Sequence, residues 1–339
     1  MGVLRMELIM MRNLTTAQNT VLEQIFMDYL EAGLEGLSGA SGQWPILFDE
    51  NIEPFSEIDF GLELAAMLEG LDRRTIPLHG EDPAPVAAVD ASVVKLAETP
   101  LGPVIGLKAA VVERSDSVRI SIIGPFLKLV RLNASRVSNV FTAVKDEFRL
   151  FERLVQLWVS KNVQDRIVLL DGTLTVSADR CGHLLAETLE EACRRGNMVI
   201  AFAKESNLLR GASLLQTPPD PPCIVEITDI VRKAWTGLRC LGAVYLAILS
   251  HNIYPVRAEA YPVEKGVAGF SRLLTSDVLR HGYPETLALA HLYSGFNWLD
   301  IVAARRALLT DYQPRIAEML SPRESFLAPF ERGHHEDSS

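Results

Sequence analysis

The chain is poor in cysteine, in extended apolar runs and in net positive charge, and each shortage removes a class of function. Four cysteines in 339 residues (Cys181, Cys193, Cys223 and Cys240) show no CxxC spacing, so they read as reduced structural thiols and neither a zinc site nor a disulfide framework is expected. No apolar stretch reaches the roughly 20 residues needed to span a bilayer, and Met1 to Arg12 lacks a basic segment followed by a small-residue cleavage site. A soluble, cytoplasmic protein without a membrane partner is therefore expected. The net charge of −10 argues against a surface coated by nucleic acid, although it permits a local site whose carboxylates hold cations. Glycine-rich phosphate loops of the P-loop or dinucleotide type are missing, which speaks against ATP hydrolysis and nicotinamide chemistry. It also disfavours a sugar or acyl kinase of the actin-like type. Spacing suggests no Ser-His-Asp or Cys-His arrangement.

What the chain does contain is apolar sequence in quantity, 48% hydrophobic against 22% charged, enough for a full core. Two apolar runs end in an aspartate. Pro85-Val86-Ala87-Ala88-Val89-Asp90 leads into Ala91-Ser92, and Arg166-Ile167-Val168-Leu169-Leu170-Asp171 leads into Gly172-Thr173. Each reads as a buried strand delivering a carboxylate at its C-terminal end, followed by small turn residues. A carboxylate at the mouth of an apolar sheet is costly unless a cation meets it.

Elsewhere the periodicity predicts helices over Thr15–Leu37, Phe60–Leu71, Ser135 to about Ser160, Gly182–Arg195, Ile227–Trp235, Gly269–Arg280 and Glu285 to about Leu309. Strands are expected over Pro85–Asp90, Pro103–Arg114, Val118–Ile123, the run ending at Asp171, Met198–Ala203, Leu241–Leu249 and Tyr254–Tyr261. The first three suggest an antiparallel meander with turns at Thr99–Gly102 and Arg114–Ser117. Three strands, a helix, a strand, a helix and a strand is the order of a ribonuclease H-like mixed sheet flanked by helices. There the first and fourth strands are neighbours, which would bring Asp90 and Asp171 together across 81 positions of sequence. Residues 1–80 are expected to form an N-terminal helical region, 81–320 the ribonuclease H-like domain and 321–339 a polar tail.

Two adjacent carboxylates repel unless neutralised, and oxygen ligands in that arrangement suit Mg²⁺ or Mn²⁺. The helix between the two strands offers Asp146, Glu147 and Glu152 as a third ligand; Glu152 borders the apolar stripe of Phe148, Phe151 and Val155, and Glu147 is its competitor. Asp171-Gly172-Thr173-Leu174-Thr175 mimics a phosphatase motif, but the nucleophile position is Leu169, so no phosphoryl-aspartate can form. Lys204 ends a strand where an ammonium could reach phosphate. Tyr283 leads into a helix whose second turn carries His291, a position that more often holds a core histidine than a ligand unless a metal lies nearby. Arg257 and Glu259, two apart on one strand, are expected to form a structural ion pair.

In this order, Val89-Asp90-Ala91-Ser92, Leu169-Leu170-Asp171-Gly172-Thr173-Leu174, Ala203-Lys204-Glu205-Ser206, and Gly282-Tyr283-Pro284 followed by Ala290-His291 resemble the NurA nuclease family from about Val86 to Leu309. The resemblance implies a ribonuclease H-like fold and Mn²⁺-dependent degradation of DNA. It also implies a homodimer working with a hexameric HerA-type translocase, in DNA end processing or phage defence. Carried over by position, Asp90, Glu152 and Asp171 become metal-binding carboxylates, Tyr283 and His291 complete the catalytic set with His291 as a further ligand, and Lys204 would contact substrate. One departure is Ala91, where the family usually has glycine. Its methyl would either crowd the approach to the metal or be accommodated.

Overall fold

The computed structural model describes residues 29, 45–46, 75–99, 101–131, 140–176, 181–203, 220–234, 239–251, 255–312 and 315–316. The helices expected at Thr15–Leu37 (apart from Tyr29) and Phe60–Leu71, the tail from 321 and Lys204 lie outside these residues.

A nine-stranded sheet organises the chain. Its strands are β1 (Thr75–Pro77), β2 (Val86–Thr99), β3 (Gly102–Arg114), β4 (Val118–Leu129), β5 (Ile167–Asp171), β6 (Met198–Ala203), β7 (Cys223–Glu226), β8 (Ala243–Ile248) and β9 (Val256–Tyr261). The spatial order is β1-β7-β8-β9-β6-β5-β2-β3-β4. Strands β2, β3 and β4 form the expected meander, β5 lies parallel to β2, and β6 lies parallel to β5. The order β4-β3-β2-β5-β6 is that of a ribonuclease H-like core, extended on one side by antiparallel β9, β8, β7 and β1. Helices α1 (Val140–Asn162), α2 (Gly182–Arg194), α3 (Thr228–Ala234), α4 (Gly266–Ser276), α5 (Glu285–Ser294) and α6 (Trp298–Tyr312) complete the framework.

Strand alternation divides the core into two layers. Ala87, Val89, Ala91, Val168 and Leu170 face Phe151, Leu154 and Val155 of α1 and Leu185 and Leu189 of α2. Val86, Ala88, Ile167, Leu169, Ile200 and Phe202 face Phe270 and Leu273 of α4 and Leu287 and Ala290 of α5. Residues 167–170 are 0–1% exposed, because helices cover both faces of this central strand. That also explains why the run looks continuously apolar rather than alternating.

Four expectations need correction. Asp90 does not end its strand: β2 runs on through Ala91 and Ser92 to Thr99, paired with β3 along this length. The small residues after Asp90 are strand residues here, because a long antiparallel partner supplies their hydrogen bonds. What stops at Asp90 is the parallel pairing with β5, whose last matched pair is Val89 and Leu170. Strand β4 likewise continues past Ile123 to Leu129, through an irregularity opposite Leu107–Ala109. Gly124 sits at that irregularity with φ +95°, where an added Cβ would lie 2.7 Å from the Leu107 carbonyl oxygen. Third, the helix expected from Glu285 to about Leu309 is two helices, α5 and α6, broken at Gly295-Phe296-Asn297. Asn297 caps α6: its Oδ1 accepts from the Asp300 amide at 3.0 Å, and Asp300 Oδ2 accepts from the Asn297 amide at 3.1 Å. Helix α4 begins earlier than expected, at Gly266, and stops at Ser276. No described helix is long and apolar enough to cross a membrane.

Candidate metal centre

The parallel pairing of β2 and β5 delivers Asp90 and Asp171 to one face of the sheet. In both strands the aspartate shares its alternation with residues that pack under α4 and α5, namely Val86 and Ala88 on β2 and Ile167 and Leu169 on β5. Just after Asp171 the chain turns at Gly172, whose φ of +105° favours glycine, and its amide donates to the Phe202 carbonyl at 2.9 Å. The following residues are held by a buried polar network. The Leu174 amide donates to Glu259 Oε2 at 2.9 Å, Thr175 Oγ1 donates to the Glu259 carboxylate, and Arg257 Nη2 donates to Thr175 Oγ1 at 3.0 Å. Arg257 and Glu259 form the expected ion pair.

Helix α5 lies across β2 and β3 and is fastened at both ends. At its start, Arg114 of β3 pairs with Asp277 at 3.0 Å and Glu285 at 2.6 Å, while Asp277 accepts from the Thr286 amide and hydroxyl at 3.1 and 2.9 Å. At its end, Ser92 Oγ donates to the Ser294 carbonyl at 2.5 Å and Lys108 Nζ donates to the Gly295 carbonyl at 3.0 Å and pairs with Asp300 at 2.8 Å. Ser92 and Lys108 are directly opposite each other in the β2–β3 ladder. The last carbonyls of a helix have no partners within it, and here the sheet supplies them.

So fastened, α5 sets His291 over the two aspartates. Its Nδ1 is 2.9 Å from Asp90 Oδ2 and 3.7 Å from Asp171 Oδ2. One ligand-capable atom from each of Asp90, Asp171 and His291 lies within 4.8 Å of the others. Asp90 is 5% exposed while the His291 side chain is 63% exposed, so the group opens to solvent on the histidine side. Ser294, one helical turn after His291, donates its hydroxyl to Asp90 Oδ2 at 2.9 Å.

Glu152 of α1 is half-buried and stands outside that group of three. Burial, with the Asp90 and Asp171 charges adding to it and Arg153 and Arg149 opposing, pushes its carboxyl up to about 7. Glu147 is engaged elsewhere: it pairs with Lys128 at 2.7 Å, and the Tyr29 hydroxyl donates to it at 3.2 Å. Glu147 is thus occupied with Lys128 and Tyr29, whereas Glu152 stands nearer the aspartates. The Tyr283 ring packs edge-on against Phe202, with centroids 5.8 Å apart, and Phe202 is the residue matched to Asp171 in the β5–β6 ladder. Burial, reinforced by Asp171 and Asp90, holds the Tyr283 phenol well above its ordinary range, so at neutral pH it remains a proton donor. Ala91 points to the opposite face, into the apolar layer under α1, so its methyl does not stand between Asp90, Asp171 and His291.

The strand pairing and α5 thus bring Asp90, Asp171 and His291 together, with Glu152 and Tyr283 close enough to feel the aspartates. Ser294, Ser92 and Lys108 were not anticipated from sequence. The one available signal was the spacing of His291 and Ser294, three apart and therefore on one helical face. Lys204 cannot be placed.

No family model matches the chain, and no curated protein matches it. Solved structures do. The chain is similar to NurA nucleases. The NurA nuclease from Sulfolobus solfataricus aligns over 75% of this chain and 91% of its own, at 14% identity and a TM-score of 0.48. A NurA structure with manganese aligns over 88% and 99%, at 12% identity and a TM-score of 0.45. NurA bound to dAMP and manganese aligns over 78% and 96%, at 10% identity and a TM-score of 0.47. The fold assignment rests on the strand order above, and the chemistry on this chain's own residues.

Two carboxylates and an imidazole converging at a partly open site form a donor set suited to a divalent cation. Two carboxylates this close favour a cation between them. The residues present therefore fit such an ion.

Proposed function

We propose that the chain is a metal-dependent nuclease that hydrolyses phosphodiester bonds in DNA. The observation that carries this is the convergence of Asp90, Asp171 and His291, with a half-buried Glu152 whose carboxyl is raised in part by both aspartates. Asp90, Asp171, Glu152 and His291 would hold the cation, Mn²⁺ by preference with Mg²⁺ as a substitute. The chemistry such an ion supplies is activation of a water for attack on phosphorus and neutralisation of charge on the leaving 3′ oxygen.

The chain's own residues would do the rest. The phenol of Tyr283 would donate a hydrogen bond to a phosphate oxygen, because it keeps its proton. Lys204 would add positive charge toward the phosphate backbone. Strands β2 and β5 keep the aspartates in register, and the fastened α5 keeps His291 above them, so little reorganisation is needed when substrate arrives.

We further propose that the protein acts as a homodimer with a hexameric HerA-type translocase, in DNA end processing or phage defence. That part rests on the sequence resemblance to the NurA family. The test is digestion of end-labelled DNA with Mn²⁺, by the wild type and by Asp90→Ala and Asp171→Ala, with and without a HerA-type ATPase. Degradation that requires both aspartates supports the nuclease reading, and full activity in either variant overturns it. Mn²⁺ binding that does not depend on the aspartates, without degradation, would instead indicate a non-catalytic scaffold.

A further inference from the structure

Asp90 Oδ2 has two side-chain partners on α5. It takes the Ser294 hydroxyl at 2.9 Å as well as His291 Nδ1 at 2.9 Å. Ser294 is 1% exposed, so its hydroxyl has no alternative partner in water. It has one proton and two acceptors in reach, Asp90 Oδ2 and the His291 carbonyl at 3.0 Å, and the charged carboxylate is the stronger of the two.

The backbone of the same residue is tied to the same strand. Ser92, two positions beyond Asp90 and on the same face, donates to the Ser294 carbonyl, and Lys108 opposite it donates to the Gly295 carbonyl. Ser294 therefore meets β2 twice, through its hydroxyl at Asp90 and its carbonyl at Ser92. Sliding or rotation of α5 would break both bonds together. His291 will exchange partners when a cation enters, since its nitrogen is then wanted as a ligand. Ser294 cannot ligate from its buried position and has no reason to leave Asp90.

We propose that Ser294 is a positioning residue of the metal centre. It holds the Asp90 carboxylate in one orientation through Oδ2, and the Ser92–Lys108 pair keeps it there by seating the end of α5. This inference rests on the reading of Asp90 and Asp171 as metal ligands. Hydrogen bonds that orient a ligating carboxylate are worth about 10- to 100-fold in affinity or activity.

The test is calorimetric titration of the full chain with Mn²⁺, without DNA, paired with thermal unfolding in EDTA. Ser294→Ala is expected to weaken Mn²⁺ binding about tenfold. Ser92→Ala keeps the Ser294 hydroxyl and loses only the seat, so it should weaken binding less than Ser294→Ala does. Wild-type Mn²⁺ affinity in Ser294→Ala overturns the inference, and a lowered melting temperature with unchanged affinity also overturns it, because the role is then packing alone. Asp171→Ala separates the two levels. If it loses Mn²⁺ while Ser294→Ala binds normally, only the positioning role fails. If it binds Mn²⁺ like the wild type, the metal-centre reading fails and takes this inference with it.

Discussion

Val89 of β2 and Leu170 of β5 are the last matched pair of the parallel ladder, and each is followed at once by an aspartate. The termination of that ladder is what makes the site. Further back, both strands are covered by neighbours and helices, and a carboxylate would be stranded in the core. One step beyond the last pair, β5 ends in a turn while β2 continues along β3. Asp90 and Asp171 therefore share a gap in the sheet that is open toward His291.

Removing Asp171 is expected to act differently on activity and on metal-free stability. Asp90→Asn and Asp171→Asn should abolish Mn²⁺-dependent DNA cleavage. Asp171→Asn should also leave the metal-free protein at least as stable as the wild type, because it relieves the repulsion at Asp90. Thermal unfolding in EDTA, read beside a nuclease assay, checks both. A large loss of stability in Asp171→Asn would mean that the carboxylate is held by structural partners rather than kept for a cation.

Glu152 makes the centre sensitive to pH. Its carboxyl is raised from an ordinary 4.5 to about 7, and a ligating carboxylate must be deprotonated. Mn²⁺ affinity should rise with pH through about 7, and Glu152→Gln should weaken binding and flatten that profile. Glu147→Gln, altering a carboxylate engaged with Lys128, should leave Mn²⁺ affinity unchanged. For the metal-free protein the sign reverses. Above about 4.5 the unfolded chain releases the Glu152 proton while the folded chain retains it, so stability contributed by this group falls as pH rises from about 4.5 to about 7. Urea denaturation across that range, wild type against Glu152→Gln, gives the measurement.

Gly172 is expected to be intolerant of any side chain despite having room for one. A Cβ there would meet no atom within 4 Å, yet the φ of +105° strains any L-residue. Gly172→Ala should cost about 1–3 kcal/mol in chemical denaturation and lower cleavage through displacement of Asp171. Unchanged stability would show that the turn can adopt another conformation.

The buried Arg257–Glu259 pair holds the segment after that turn. Glu259 is 1% exposed and accepts from the Leu174 amide and Thr175 hydroxyl. Glu259→Ala leaves Arg257 buried and uncompensated, which should destabilise the fold by about 3–5 kcal/mol. Replacing both residues with apolar ones of similar size should recover much of that loss. Denaturant midpoints of the single and double variants test this.

Much of the architecture is legible in the local pattern. The meander turns at Thr99–Gly102 and Arg114–Ser117, the apolar runs at 167–170 and 198–203, and the stripe of α1 each reflect a period that burial imposes. The break between α5 and α6 was missed because Gly295 and the Asn297–Asp300 cap sit inside an otherwise continuous apolar helical pattern. The length of β2 was missed because Ala91-Ser92 looks like a turn, and only a partner strand of equal length makes it a strand.

By itself the sequence determined which residue types stood ready for chemistry: the two aspartates after apolar runs, the glutamates of α1, and Tyr283 with His291 eight residues later. These are local properties, written in short windows of hydrophobicity and charge. Only the tertiary structure decided which carboxylates meet, that Glu147 pairs with Lys128, that Ala91 faces away, and that Ser294 is bonded to Asp90. Those outcomes depend on strand register and on how α5 is seated, both set by contacts between residues as much as about 200 positions apart, which no local window contains.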